Sequence, residues 1–525
     1  GLRVDIPRMT VLATDLFEQF VESNDLGYLA TAQTSDDQIA LQFQRGELAP
    51  HVVGDLLTLI SGVHEPLAIR SSSLLEDAVH APFAGVYETK MIPNNQPEPE
   101  SRFRRLVEAI KFVYASTYFR QARDYFRAIG RDIHQERMAV IIQEVVGARF
   151  GERFYPTVSG VARSYNFYPT GNAKPREGVV SLALGLGKTI VDGGRAWSYC
   201  PAWPQAPPPY SSIEQLLQNT QAKFWAVSMA TPREYDPVRE TEYLEHLDLE
   251  AAELDGTLRH VCSTYDPQSD RLAMGLAGGG PRLVDFSPIL KGRQAPLNEL
   301  VRLVLQTAEE SAGTEVEIEF ALAFDPEHGR ESRFGFLQVR GLAAAAEGAV
   351  VEIGEVGRQE ALIFCRRVMG NGELAGIRDV VYVRPDAFRA AETPRIAMEV
   401  EKLNARLLEN RTPYLLVGFG RWGSADPWLG IPVAWGQISG ARVIVEATAA
   451  QMSPDLSQGS HFFHNLTGLG VLFFAIQDEA DGWIDWDWLA AQAQVQQGPF
   501  VRHVRCARAL TVRADGRQGR GVVLK

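Results

Sequence analysis

The sequence predicts an α/β chain of the α+β kind, built from more than one folding unit, and three observations carry that expectation. Strand-like apolar runs and segments of helical period succeed one another along the chain, with no internal repeat of fixed length. At 525 residues the chain is too long for one ordinary hydrophobic core, so roughly two to four units follow. A composition of 45% hydrophobic and 22% charged residues leaves enough apolar material for packed interiors.

The formal charge of −13 repels a polyanion over most of the surface, so nucleic acid is not an expected partner. Cys200, Cys262, Cys365 and Cys506 stand far apart, with no CxxC and no histidine at zinc-ligand spacing; they read as isolated buried thiols. The opening GLRVDIPRMT lacks the basic-then-apolar layout of a signal peptide, and no apolar run reaches the roughly 18 residues of a membrane span. The expectation is a protein of the reducing cytoplasm with no membrane partner.

Taken in order, MTVLA is a short strand, followed by helices beginning near Thr14, read as an N-cap, and near Asp36. Residues 66–70 form a brief strand, and the loop RSSSLLEDAVHAPFAG (70–85) leaves it. Phe103, Leu106, Val107, Ile110 and Val113 recur at helical spacing and predict one long helix over 100–130, its arginines and lysine on the solvated face. MAVIIQEVV (138–146) is an apolar strand broken only by Gln143 and Glu144. Short strands and glycine turns occupy 156–200. PAWPQAPPPY (201–210) holds five prolines and excludes helix or interior strand. Helices are expected near 212–222, near 246–254 and over 297–312, and strands at VEIEFALAF (316–324) and FGFLQVR (334–340). The small-residue seam GLAAAAEGA (341–349) marks a boundary. Beyond it VVYVRP, YLLVGFG, ARVIVEA and VLFFAI read as strands, with a helix over 396–409.

Two features carry chemistry. Arg70 leaves a buried strand with a rigid fork of donors suited to phosphate oxygens, and serines and a glycine loop follow it. Glu317 and Glu319 lie two apart, so both carboxylates share one face of a strand. Gln338 and Arg340 repeat that spacing on the neighbouring strand. The shared face suits a hard divalent cation with oxygen ligands; plain cross-strand salt bridges on a wet face are the alternative.

IRSSSLLEDAVHAPFAGVYETK (69–90) resembles a segment of the nucleotide-binding domain of pyruvate phosphate dikinase and phosphoenolpyruvate synthase, in which an arginine-serine-serine run precedes an acidic pair and a phenylalanine-alanine-glycine turn. MAVIIQEVVG, VSGVARS with LALGLGKTIVDGG, and EIEFALAF followed by LQVR resemble that family's later segments, in the same order, across residues 5–340. The resemblance implies an ATP-grasp fold in which two lobes, 1–155 and 156–345, hold ATP, with a C-terminal α/β domain over 346–525. It implies that Arg70 binds phosphate and that Gly85 belongs to a loop covering the phosphates. Gln143, Glu144, Val145 and Val146 would face adenine through backbone groups and an apolar wall. Glu319 and Gln338 would hold magnesium with Glu317 close by, and Arg340 would pair with the transferring phosphate.

Two departures stand beside this. Relatives carry a phosphate-contacting lysine in a Gly-Gly-Lys segment that would fall ahead of Val4. Lys188, in GLGKT, stands where many relatives place a glutamate; it reads as an exposed turn lysine or as a substitute cation. No pyruvate-handling barrel is evident. SQGSHFFHNLTGLGV faintly resembles the family's phosphorylatable-histidine motif, which makes His461 a candidate acceptor, with His464 three residues on; both also read as ordinary histidines bonded to backbone or water. YLLVGFGRWGSADPW imitates a dinucleotide fingerprint, but Pro427, Gly430 and Pro432 rule out the helix that should open on the third glycine. Arg421, Asp426 and His461 are left as residues of a second polar pocket.

The expected function is therefore an ATP- and magnesium-dependent phosphotransferase acting on a histidine or a small acceptor. Its rivals are a catalytically impaired ATP-binding regulatory module and an interaction scaffold with a fossil site.

Overall fold

The computed structural model describes the chain except residues 1, 77–84, 208–211, 233, 325–331, 343–350, 352, 355, 450–451, 453–461, 463–464 and 467–468. It is an α+β fold organised around three principal sheets, and the cavity described below lies between two of them.

The first is an antiparallel four-stranded sheet, ordered Met9–Leu12, Ala139–Glu144, Leu67–Ser72, Lys90–Ile92. Helices Thr14–Ser23, Asp36–Arg45, Pro50–Gly62 and Pro99–Ser116 bury Phe17, Phe20, Phe43 and Tyr114 into one aromatic cluster; the Phe17 and Tyr114 rings meet edge-on at 5.2 Å. Thr14 is the first helical residue rather than the cap, since Ala13 takes the extended N-cap position and no side chain bonds there. The next helix is capped as its sequence suggests. Ser35 accepts from the Gln38 amide and Gln38 reaches back, a reciprocal capping box.

The long helix expected over 100–130 is two helices, Pro99–Ser116 and Arg120–Ile129, because Phe119 is extended and serves as N-cap of the second. Its cations are not all on a wet face. Arg102 is buried and donates to the Val63 carbonyl at 3.2 Å, and Arg123 donates to the carbonyls of Ala32 and Thr34. These guanidinium groups bond loop carbonyls of other segments instead of facing water.

The second sheet has six strands, ordered Leu2–Asp5, Ser332–Gly341, Val316–Ala323, Val158–Arg163, Val179–Ala183, Trp197–Tyr199. Leu2–Asp5 pairs parallel with Ser332–Gly341, so the first residues of the chain belong to the same sheet as residues 332–341. Helix Leu297–Ala312 backs this sheet with Leu297, Val301 and Leu305. Lys223–Ser228 and Leu244–Asp248 form a smaller sheet with 148–155. Leu244–Asp248 lies where the sequence suggested helix; the helix starts only at Leu249.

The third sheet lies wholly beyond residue 360. Its parallel core is Asn371–Val383, Tyr414–Phe419, Ala441–Ala447 and Leu472–Ile476, the four apolar runs singled out from sequence. Strands buried on both faces are continuously apolar in this way. Helix Thr393–Glu409 makes the crossover between the first two. The imitation fingerprint is a tight corner: Gly420 and Gly423 have φ of 72° and 77°, and Arg421–Trp422 pairs with Gly430–Ile431 where a helix would have to begin. Cys262, Cys365 and Cys506 are buried free thiols, whereas Cys200 is half-buried. Among the described residues no helix is long and apolar enough to cross a membrane.

Candidate functional site

A cavity of about 350 Å³ lies between the four-stranded and six-stranded sheets, and residues from distant parts of the chain line it: Arg70, Gly85, Gln143 to Val146, Lys188 and Glu319. One wall is set by strand register. In the antiparallel pair Val316–Ala323 and Ser332–Gly341, Glu317 lies opposite Arg340 and Glu319 opposite Gln338, with a bulge directly after Glu319. The two-residue spacing thus places all four groups together, as alternation requires.

From the other sheet Arg70 reaches across. Its Nη2 lies 3.1 Å from Glu319 Oε2 and also donates to Gln338 Oε1. Arg340 Nη2 lies 2.9 Å from Glu319 Oε1 and 3.0 Å from Gln338 Oε1. Glu319 is therefore held between two guanidinium groups, one from each sheet. Glu317 is 3% exposed and sits behind this cluster, where Arg163 Nε bonds it at 2.6 Å and Arg340 Nε lies at 3.6 Å. A buried carboxylate is tolerable only when so paired. Glu317, Gln338 and Arg340 are not among the lining residues; they back the wall that Glu319 and Arg70 present.

The rest of the cavity is an apolar slot. Ala68, Met91, Val145, Leu186 and Leu244 pack on one side, and Val146, Ala321 and Leu337 on the other. At its edge the Glu144 amide donates to Arg8 O (3.0 Å) and the Val145 amide to Pro66 O (2.8 Å). The Val146 amide has no hydrogen bond among the described residues. Gly160 faces Phe320 in register, and a Cβ there would lie 2.0 Å from the ring, so the VSGVA strand needs glycine to let the sheet close. Gly85 adopts φ 67°, and its carbonyl accepts from Gln121 Nε2 at 3.1 Å.

Lys188 is not an exposed turn residue. It begins the short helix Lys188–Val191, is 17% exposed, lines the cavity, and pairs with Asp192 at 3.1 Å and Glu240 at 2.8 Å. Burial disfavours its charge, but these two carboxylates outweigh that and hold the ammonium above the ordinary lysine range. Glu88, also lining the cavity, is pushed up to about 7 by burial and then by the negative Glu240, against the pull of Lys188. Sequence reasoning missed Glu88, Asp192, Glu240 and Arg163. A glycine turn before Lys188 was a usable signal, whereas nothing in the sequence ties Glu240 to Lys188. His461 and His464 lie outside the described residues, as does part of the loop before Gly85.

Residues 2–360 match the family described as pyruvate phosphate dikinase, AMP/ATP-binding domain. Phosphoenolpyruvate synthase of Aeropyrum pernix is 31% identical over 138 residues, which is 26% of this chain and 15% of that protein. A Bacillus subtilis protein named uncharacterized phosphotransferase YvkC is 26% identical over 188 residues, 36% of this chain and 20% of that one. The matched stretches span a fifth or less of these curated relatives.

Proposed function

The chain belongs to the pyruvate phosphate dikinase AMP/ATP-binding domain family, and from that membership we propose that it is an ATP- and magnesium-dependent phosphotransferase of the dikinase type. It moves a phosphoryl group from ATP to a small acceptor or to a histidine, His461 being the candidate within this chain. The fold reading is ATP-grasp, with the nucleotide between the lobes 1–155 and 156–345. The observation that carries the proposal is the 3.1 Å pairing of Arg70 with Glu319, on the wall of a cavity that also contains an apolar slot.

In this reading the slot takes the adenine and the Val146 amide donates to its edge. Gly85 lies over the phosphates. Arg70, released from Glu319 and Gln338, turns to the phosphate oxygens, while Arg340 stays anchored by Glu317 and faces the transferring group. Glu319 and Gln338 offer two oxygen ligands, which fits magnesium, a cation that commonly takes its remaining ligands from phosphates and water. Among the described residues no group of three or more His, Cys, Asp or Glu side chains has the arrangement to hold a metal ion. When bound, the ion supplies charge neutralisation of the phosphates, and the protein contributes mainly positioning and fixed positive charge.

The second reading, a catalytically impaired ATP-binding regulatory module, is favoured by one feature. Both Glu319 oxygens are engaged by guanidinium groups, so ligand binding has to break existing ion pairs. Incubation with magnesium and ATP labelled at the β or γ position separates the two. Acid-labile label that disappears in His461→Ala but survives in His464→Ala marks the acceptor. A nucleotide-dependent rise in melting temperature without label or hydrolysis supports the regulatory module. No thermal response at all removes both.

A further inference from the structure

A second cavity, of about 530 Å³, lies where the second lobe meets the C-terminal domain. Lys188 and Asp192 line it as well as the first cavity, so these two side chains form a shared wall. Its far side is Ala425, Asp426 and Pro427, which lie beyond the segment that matches the family. Of the residues expected to form a second polar pocket, Asp426 lines this cavity and His461 lies outside the described residues. Arg421 is instead committed to docking the domains: its Nη1 donates to the Gly193 and Gly194 carbonyls at 3.0 and 3.3 Å, and the Ala425 amide donates to Asp192 O at 3.1 Å.

The chemistry of the lining is lopsided. Thr189 is 8% exposed, and its hydroxyl has no hydrogen-bond partner among the described residues. Arg195 Nε is likewise buried without a partner, and no carboxylate pairs with that guanidinium among the described residues. The carboxylates present are already engaged: Asp192 with Lys188, and Asp426 with the Trp428 amide at 2.9 Å. Among the described residues Lys223 pairs with exposed Asp248 at 3.3 Å, a surface pair that is readily redirected. Trp225 supplies a flat apolar surface and is held in place by stacking on His246, with ring centroids 4.3 Å apart and planes 13° apart. Buried donors left unsatisfied cost free energy; Thr189 Oγ1 and Arg195 Nε are closed off from the cavity as the side chains stand, and a turn of either toward it lets a ligand with acceptor oxygens recover that cost.

We propose that this cavity binds a small organic anion, whose anionic group sits on Arg195 and Thr189 and whose body lies along Trp225. A cavity of this size suits a compact organic molecule. Because Lys188 and Asp192 face both cavities, occupancy of one alters affinity in the other, and that coupling is reciprocal. The coupling rests on the nucleotide reading; the site itself does not.

The test is calorimetric titration of the full chain with phenyl phosphate and, separately, benzoate, which distinguish a phosphate from a carboxylate headgroup. At least one should bind with a dissociation constant in the millimolar range or tighter, about −4 kcal/mol or better. Arg195→Ala should weaken that binding about tenfold or more, as loss of a charged hydrogen bond does. Thr189→Val should weaken it while leaving the melting temperature equal or higher, since it removes an unsatisfied polar group; a merely structural threonine would not separate these two readouts. Arg70→Ala should leave it unchanged, which excludes entry of the probe into the first cavity. No binding of either probe at ~10 mM, well above millimolar affinity, would overturn the proposal. So would equal affinity in Arg195→Ala, or loss of binding in Arg70→Ala. A chain that binds a probe but not nucleotide keeps this site and loses the phosphotransferase reading; the converse result does the opposite.

Discussion

The six-stranded sheet and the sheet beyond residue 360 use the same sequence device to opposite ends. In each, ionisable or polar residues two apart on one strand meet partners on the antiparallel neighbour. In the six-stranded sheet Glu317 and Glu319 face Arg340 and Gln338. In the C-terminal sheet His503 and Arg505 share a face, and Asp379 lies opposite Arg505. His503 Nε2 is 2.7 Å from Asp379 Oδ1, and Arg505 reaches the same carboxylate at 3.0 Å. Burial opposes the charge on Asp379, yet His503 and Arg505 hold it below the usual carboxylate range. None of these three lines any of the cavities described here, whereas Glu319 faces open space and receives a guanidinium from a different sheet. Charge pairing alone does not make a site. The difference is the cavity and the partner that comes across it.

Mutation should separate the two clusters cleanly. The largest effect is expected for Arg70→Ala and Glu319→Ala, which should each weaken nucleotide binding by about 100-fold, roughly 3 kcal/mol, as loss of a charged partner in a desolvated site does. Calorimetry with a non-hydrolysable ATP analogue reads this, and an unchanged affinity would erase the contrast. Asp379→Ala should leave nucleotide affinity intact and instead lower unfolding stability by about 2 kcal/mol, because it strands buried His503 while Arg505 is half in solvent; urea denaturation measures that. A smaller change is expected for Lys188→Ala, about tenfold in nucleotide affinity, since Asp192 and Glu240 then face the phosphates uncompensated.

The last comparison is a pH dependence. Glu88 is held up at about 7 from an ordinary value of 4.5, so the folded state binds its proton more tightly than the unfolded state does. The resulting stability is complete below the unfolded value and is lost as pH rises toward the folded one. Glu88→Gln should therefore gain melting temperature relative to the parent as pH rises from about 5 to about 8. It should also flatten any tightening of nucleotide binding at lower pH, since a neutral Glu88 no longer repels phosphate. Parallel melting curves for the two proteins would sink this assignment.

What was legible in the sequence follows from what is local. Period-two spacing placed Glu319 with Gln338 and Arg340, because register within one hairpin-like pair propagates the alternation. Apolar runs announced the four parallel strands of the last sheet, though not their order. Contacts between separate segments were hidden. Lys188 looked like a surface lysine because Glu240, 52 residues on, gives no sign of folding back onto it. Arg102 and Arg123 looked solvated because helical spacing cannot reveal a loop carbonyl waiting to be capped. The single long helix failed for a related reason: apolar periodicity runs through Phe119, and only the extended backbone there breaks it.

The docking of Arg421 and Ala425 onto the Asp192–Gly194 turn has a practical corollary. The short helix bearing Lys188 is clasped from outside the segment that matches the family, so an excised fragment ending near residue 360 would lose the clamp on that turn. Amide hydrogen exchange there should quicken in such a fragment, and ligand measurements made on it would describe a looser molecule than the intact chain.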